Sequence, residues 1–128
     1  MFDEKSGDRM NVVVLGASIK ESRYSNLAVK ALVDAGHKVF PVHKVYKSIH
    51  GIDAYSSVLD IKEKIHTLTL YVCNESSDYL IEEILKLNPE RIIFNPGSEN
   101  YDLKDKAENK GIKVVFACTL VMLSSGAF

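Results

Sequence analysis

The sequence is short of the features that mark a specialised environment, and each shortage excludes something. It has two cysteines, Cys73 and Cys118, in 128 residues. Both fall where strands are expected to end. With one strand between them they stand roughly 9 to 10 Å apart. A disulfide needs backbone movement beyond a Cα separation of about 7 Å, so buried, inert thiols are the plain expectation. Basic charge is not in excess: sixteen Lys and Arg face seventeen Asp and Glu, a net charge of -1. No broad positive field exists to hold nucleic acid non-specifically. No apolar run approaches the ~18 residues of a membrane span. Residues 1–9 are polar and lack the apolar core of a signal peptide. They read as a flexible leader to a single cytoplasmic domain over residues 10–128. Glycine is also sparse near the start, where Gly16 stands alone between residues 8 and 35. The dinucleotide fingerprint G-x-G-x-x-G is therefore absent, and with it the second glycine that lets a pyrophosphate approach the helix closely.

What is present is a strong strand, turn and helix unit at residues 12–25. Val12 to Leu15 is a continuous apolar run, as expected of a strand buried on both faces. Gly16 ends it. A polar loop follows with Ser18, Lys20, Ser22 and Arg23, and Ser25 or Asn26 is placed to cap a helix through Leu27, Ala28, Ala31, Leu32 and Ala35. Free backbone N–H groups and the positive end of a helix dipole would point the same way. Hydroxyls and two cations suit a phosphate. The plain alternative is that Ser25 or Asn26 merely caps, and that Lys20 and Arg23 are solvated surface charges.

Downstream, strand and helix alternate. Lys38 to Val42 reads as a strand with Pro41 near its end. An irregular stretch to Tyr55 turns at Gly51 and leaves room for a short edge strand over residues 52–55. Ser56 or Ser57 caps a brief helix through Ile61 and Ile65. Thr67 to Val72 is a strand. Ser76 or Ser77 starts a helix with Leu80, Ile81, Ile84, Leu85 and Leu87 on one stripe. Arg91 to Phe94 is a strand, residues 101–110 a polar helix, and Ile112 to Ala117 the last strand. This order predicts an α/β fold: a doubly wound, mainly parallel Rossmann-like sheet of five to six strands with helices on both faces. Such sheets bind ligands beyond the carboxyl ends of their strands, at the switch point. After the second strand NAD binders carry an acidic residue for the ribose hydroxyls, whereas His43, Lys44 and Lys47 stand here. That basic end favours a phosphorylated ribose, as in NADP or coenzyme A.

Val14-Leu15-Gly16-Ala17-Ser18, Arg23-Tyr24-Ser25, Val39-Phe40-Pro41-Val42, Ile49-His50-Gly51, Tyr55, Asn95-Pro96-Gly97-Ser98-Glu99-Asn100 and the run from Gly111 to Val115 leading to Cys118 form an ordered pattern. It resembles the small stand-alone coenzyme-A-binding proteins of Rossmann-like fold, relatives of the coenzyme-A-binding domain of succinyl-CoA synthetase. The resemblance implies that Gly16, Ala17, Ser18 and Arg23 hold phosphates, and the loop reading adds Lys20 and Ser25 to the same site. It implies that Pro41 and Val42 meet the adenosine, with His43 and Lys44 following them at the basic strand end, and that the strand ends at Tyr71-Val72 and at Asn95, Pro96, Gly97 and Ser98 face the ligand. Cys118 or Cys73 would approach the thiol of a bound pantetheine. The family usually has Pro-Val-Asn-Pro where this chain has Pro41-Val42-His43-Lys44. Phe116 and Ala117 stand where an Asp and an Arg often precede the last cysteine.

The resulting expectation is a domain that binds coenzyme A or an acyl-CoA without catalysis of its own, with no metal, nucleic-acid or membrane partner. The scattered histidines support no metal site. The alternatives are an NADP-dependent oxidoreductase-like protein and an interaction module with a vestigial pocket. The uncharged tail from Cys118 to Phe128 must pack somewhere. It either folds back on its own sheet or forms a homodimer, and the dimer is expected because a last strand at the sheet edge has little of its own domain left to cover.

Overall fold

The computed structural model describes residues 9–128, so the leader expected over residues 1–9 lies, apart from Arg9, outside the described residues. The elements in chain order are β1 (Asn11–Leu15), α1 (Tyr24–Asp34), β2 (Lys38–Val42), β3 (Ser48–Ile49), β4 (Ile52–Asp53), a 3-10 turn (Val58–Asp60) and β5 (Thr67–Leu70). Then come α2 (Asn74–Ser77), a second 3-10 turn (Asp78–Leu80), α3 (Ile81–Leu87), β6 (Arg91–Phe94), α4 (Tyr101–Asn109), β7 (Lys113–Phe116) and α5 (Thr119–Ser125). Five strands form one parallel sheet in the order β2-β1-β5-β6-β7, and β3 and β4 form a separate hairpin. The strand order reverses between β1 and β5, which sets the switch point beside Gly16.

Alternation along β1 decides which layer each residue joins. Val13 and Leu15 pack with Phe40, Val42, Leu68, Leu70, Ile92 and Phe94 under the α3 and α4 layer. Val12 and Val14 pack with Val39, Val29, Leu32 and Ile49 under α1 and the hairpin. With both faces covered, the strands need no polar face. Pro41 is tolerated because β2 is an edge strand: its carbonyl turns outward to accept the Tyr55 N–H at 2.8 Å, so the missing proline N–H falls on the open side.

Several expected boundaries move. Helix α1 begins at Tyr24 with Arg23 in the cap position and no side-chain cap bond, so neither Ser25 nor Asn26 is the cap. Asn26 sits inside the first turn because its amide is used elsewhere. The brief helix after Ser57 is a single 3-10 turn, although Ser57 does cap it by accepting from the Leu59 N–H at 3.1 Å. The helix expected from Ser76 or Ser77 starts earlier, at Asn74, and is interrupted by the second 3-10 turn before α3 resumes.

The tail does fold back. Helix α5 brings Leu123 and Phe128 against the α1 layer, and Met122 is buried. The reason for expecting a dimer therefore loses its force, since the tail finds cover on α1 instead of at the β7 edge. Phe128 ends between two groups: the Arg91 guanidinium lies 4.5 Å from its ring centroid and the His37 ring 5.2 Å.

Candidate functional site

Gly16 is the pivot of the upper rim, where the strands end. Its φ is +95°, and a Cβ there would lie 2.7 Å from Val72 Cγ1 and 3.1 Å from the Tyr71 carbonyl carbon and oxygen. Only glycine lets the end of β5 come this close to the turn after β1. The Gly16 and Ala17 N–H groups both donate to the Val42 carbonyl, at 3.0 and 3.2 Å. Three strand ends are thereby drawn together.

Two clefts open from this point and share Gly16 and His43. The larger, about 620 Å³, runs toward α2 and α3. Its walls include Val42, Val58, Val72 and Leu80, with Lys44, Glu75 and Glu83 at the polar positions. Ser57 Oγ donates to Glu83 Oε1 at 3.0 Å, which ties the wall after β4 to α3. The smaller, about 370 Å³, runs toward α1 and is lined by Ala17, Ser18, Lys20, Arg23, Tyr24, Ser25, Tyr46 and Tyr71. His43 forms the wall between them. Its ring stacks on Tyr46 with centroids 4.2 Å apart, and its Nδ1 accepts the Val45 N–H at 3.0 Å.

The second cleft gathers unpaired donors and positive charge. No acceptor among the described residues takes the backbone N–H of Ser18, Ile19, Tyr24, Ser25 or Asn26. Three of these belong to the first turn of an eleven-residue helix, where unpaired donors and the dipole act together. Lys20 and Arg23 add exposed positive charge. The Tyr71 hydroxyl is buried beneath this cleft and makes no hydrogen bond. Loss of solvent pushes its pKa up to about 12, with the nearby Thr119 and Thr69 hydroxyls only partly opposing.

The two clefts thus gather Gly16, Ala17, Ser18, Lys20, Arg23, Ser25, Val42, His43, Lys44 and Val72. Pro41, Asn95, Pro96, Gly97 and Cys118, also expected to face the ligand, line neither cleft. Pro41 is buried in the sheet edge. Asn95 is 2% exposed: its amide donates to Thr69 Oγ1 at 2.7 Å and to the Leu70 carbonyl at 2.9 Å, and its Oδ1 accepts the Thr119 N–H at 2.8 Å. It knits β5, β6 and α5 together. The Gly97 N–H is taken by the Glu99 carboxylate at 3.0 Å, and Pro96 is exposed beside it. Cys118 is half-buried at the start of α5. Cys73 is exposed, contrary to the expectation of a buried thiol, and the Ser76 N–H and hydroxyl beside it lower its pKa.

The larger cleft also takes in Glu75, Ser76, Tyr79, Leu80 and Glu83, a helical face that is not among the expected site residues. Its three-to-four residue spacing is a legible helical signal, masked by the apolar stripe running alongside. Tyr46 carries no such signal, because a loop places it, whereas Tyr71 lies at the strand end that the family resemblance already turns toward the ligand.

The family of the CoA binding domain matches residues 10–124. The acetate–CoA ligase (ADP-forming) of Methanocaldococcus jannaschii is 33% identical over 100 residues. That match covers 75% of this chain and 14% of the ligase, so the chain spans only a small part of that relative's length. The uncharacterized protein YneT of Bacillus subtilis is 26% identical over 81% of this chain and 77% of its own. A solved hypothetical protein of Pyrococcus horikoshii superposes with a TM-score of 0.86 at 28% identity, covering 95% of this chain and 87% of its own. With the matched region running from β1 into α5, this chain belongs to the CoA binding domain family.

Proposed function

We propose that the two clefts together hold coenzyme A or an acyl-CoA, and that the domain binds it without catalysis. The observation that carries this reading is the meeting of an apolar cleft and an anion-seeking cleft at one glycine turn, in a chain of this family. The adenine fits the apolar walls of Val42, Val58, Val72 and Leu80. The phosphates fit the N–H groups and cations around Ser18, Lys20, Arg23 and Ser25. Lys44, at the mouth of the larger cleft, is placed to read the additional ribose phosphate. Two groups able to move protons already make structural contacts: His43 with Val45 and Tyr46, and Glu83 with Ser57. Two free thiols suit a reducing compartment, which supports the cytoplasm as the location.

Calorimetry with coenzyme A, dephospho-coenzyme A and NADP tests the reading. Coenzyme A should bind best. The Lys20→Ala, Arg23→Ala variant should bind it at least about tenfold more weakly, as expected for two charge-assisted contacts, with an unchanged Tm. Lys44→Ala should narrow the gap to the dephospho form. Preference for NADP would move the assignment to the oxidoreductase-like alternative, and absence of any ligand to the interaction module.

A homodimer belongs to the same proposal, now at the β7 edge. Phe116 and Tyr101 stack with centroids 5.6 Å apart and are 42% and 66% exposed. An exposed aromatic group beside an unpaired strand favours a second copy across a twofold axis. Light scattering at tens of micromolar should give twice the chain mass, and the Phe116→Glu variant half of that. A monomer for the parent protein refutes the dimer.

A further inference from the structure

The hairpin of β3 and β4 turns at His50 and Gly51, with φ of +52° and +73°. The left-handed region is natural for glycine and uncommon for histidine. A histidine held there invites a reason, and its side chain supplies one. His50 Nε2 lies 2.8 Å from Asn26 Oδ1. The same amide donates through Nδ2 to the Ser18 carbonyl at 2.7 Å. With Nδ2 donating, Oδ1 must accept, so His50 is the donor. Asn26 is 3% exposed, and two opposed hydrogen bonds fix which way its amide faces.

The consequence reaches the phosphate loop. Drawing the Ser18 carbonyl toward Asn26 turns the other side of that planar peptide, the Ile19 N–H, away from Asn26. That N–H is one of the donors without a protein acceptor. Ser18 Oγ meanwhile accepts the Lys20 N–H at 3.1 Å and closes the next turn of the loop. His50 lines neither cleft. We infer that His50 is a positioning residue that acts through Asn26 to hold the turn at Ser18, which lines the smaller cleft, in the conformation that receives a ligand phosphate. The hairpin is then part of the binding machinery, although it stands outside the clefts.

This inference rests on the reading of the loop as a phosphate site, and the experiment separates the two. Coenzyme A is titrated calorimetrically into the parent protein and into His50→Gly. Glycine keeps the left-handed turn without strain and removes only the side chain, so Tm should stay level or rise. Affinity should fall about fivefold or more, the scale of one lost hydrogen bond to a preorganised site. The Ile19 amide should exchange faster in the ligand-free variant. Asn26→Ala combined with His50→Gly should cost no more affinity than Asn26→Ala alone, since both act through one amide. If the parent protein does not bind coenzyme A, the functional reading fails first. If it binds and His50→Gly binds equally well, the positioning role is overturned. A fall in Tm matching the fall in affinity would reduce His50 to a structural tie between hairpin and helix.

Discussion

The two rims of the sheet use polar groups in opposite ways. At the upper rim, donors are left over: backbone N–H groups before and within the first turn of α1, those of Ser18, Tyr24 and Ser25 among them, have no acceptor among the described residues, and two clefts open beside them. At the lower rim most of them are taken up by the chain itself. The Met10 N–H donates to His37 Nδ1 at 3.1 Å, Arg91 Nε to Thr67 Oγ1 at 2.9 Å, and Arg91 Nη1 to the Phe128 carbonyl at 2.9 Å. His66 Nδ1 lies 2.7 Å from the same threonine hydroxyl. The polypeptide itself supplies the occupant below, where α5 delivers Phe128 between Arg91 and His37. A small molecule is the proposed occupant above. One sheet thus spends its polar groups on stability at one end and keeps them for a ligand at the other.

The lower rim can be broken most heavily at Arg91. It is 7% exposed, and burial lowers its pKa because a charge is held away from water. Arg91→Ala removes two hydrogen bonds and the stacking of Phe128; Thr67 keeps His66, but the Phe128 carbonyl loses its partner. The expected loss is about 2 kcal/mol in urea unfolding, with affinity for coenzyme A unchanged. Arg91→Met should recover part of that loss, since Nη2 is already buried without a partner and an apolar stem of similar length avoids desolvating a charge. If Arg91→Ala instead weakens the ligand while stability holds, the division between the rims is wrong.

Much of this arrangement was legible in the residues themselves. The apolar run ending at Gly16 and the alternation of strands and helices after it indicate the switch point, and Pro41 marks the end of β2. Strands β2 and β6 have the bounds that their β-branched and aromatic residues imply. What was hidden depended on tertiary partners. Asn26 looks like a cap in sequence because its short amide suits one, yet that amide serves Ser18 and His50. Asn95 looks exposed beside Pro96 and Gly97, but its three hydrogen bonds bury it. The α2–α3 region shows one stripe, and nothing local marks the 3-10 interruption. The tail's need for cover was plain from its composition. Its destination was not, because the receiving surface on α1 is assembled from residues far away in the chain.

Tyr71 offers the smallest and sharpest probe, because it lies between the two regimes. Its ring lines the anion cleft, while its hydroxyl points into the protein and is unpaired. In the unfolded chain the phenol ionises near pH 10; in the folded chain burial holds it neutral until about pH 12. The unfolded state therefore releases its proton first as pH rises. Stability should be insensitive to this group below pH 10 and should decline between pH 10 and 12. Tyr71→Phe should flatten that limb of the stability profile. At pH 7 it should change stability by less than about 1 kcal/mol, since no hydrogen bond is lost and a buried polar group is removed. Affinity for coenzyme A should be unaltered, because the ring surface facing the cleft is retained. A larger loss at pH 7 would mean that the hydroxyl is bonded within the fold, to Thr69 or Thr119, and belongs with the spent polar groups. A selective loss of affinity would place it among the donors kept for the ligand.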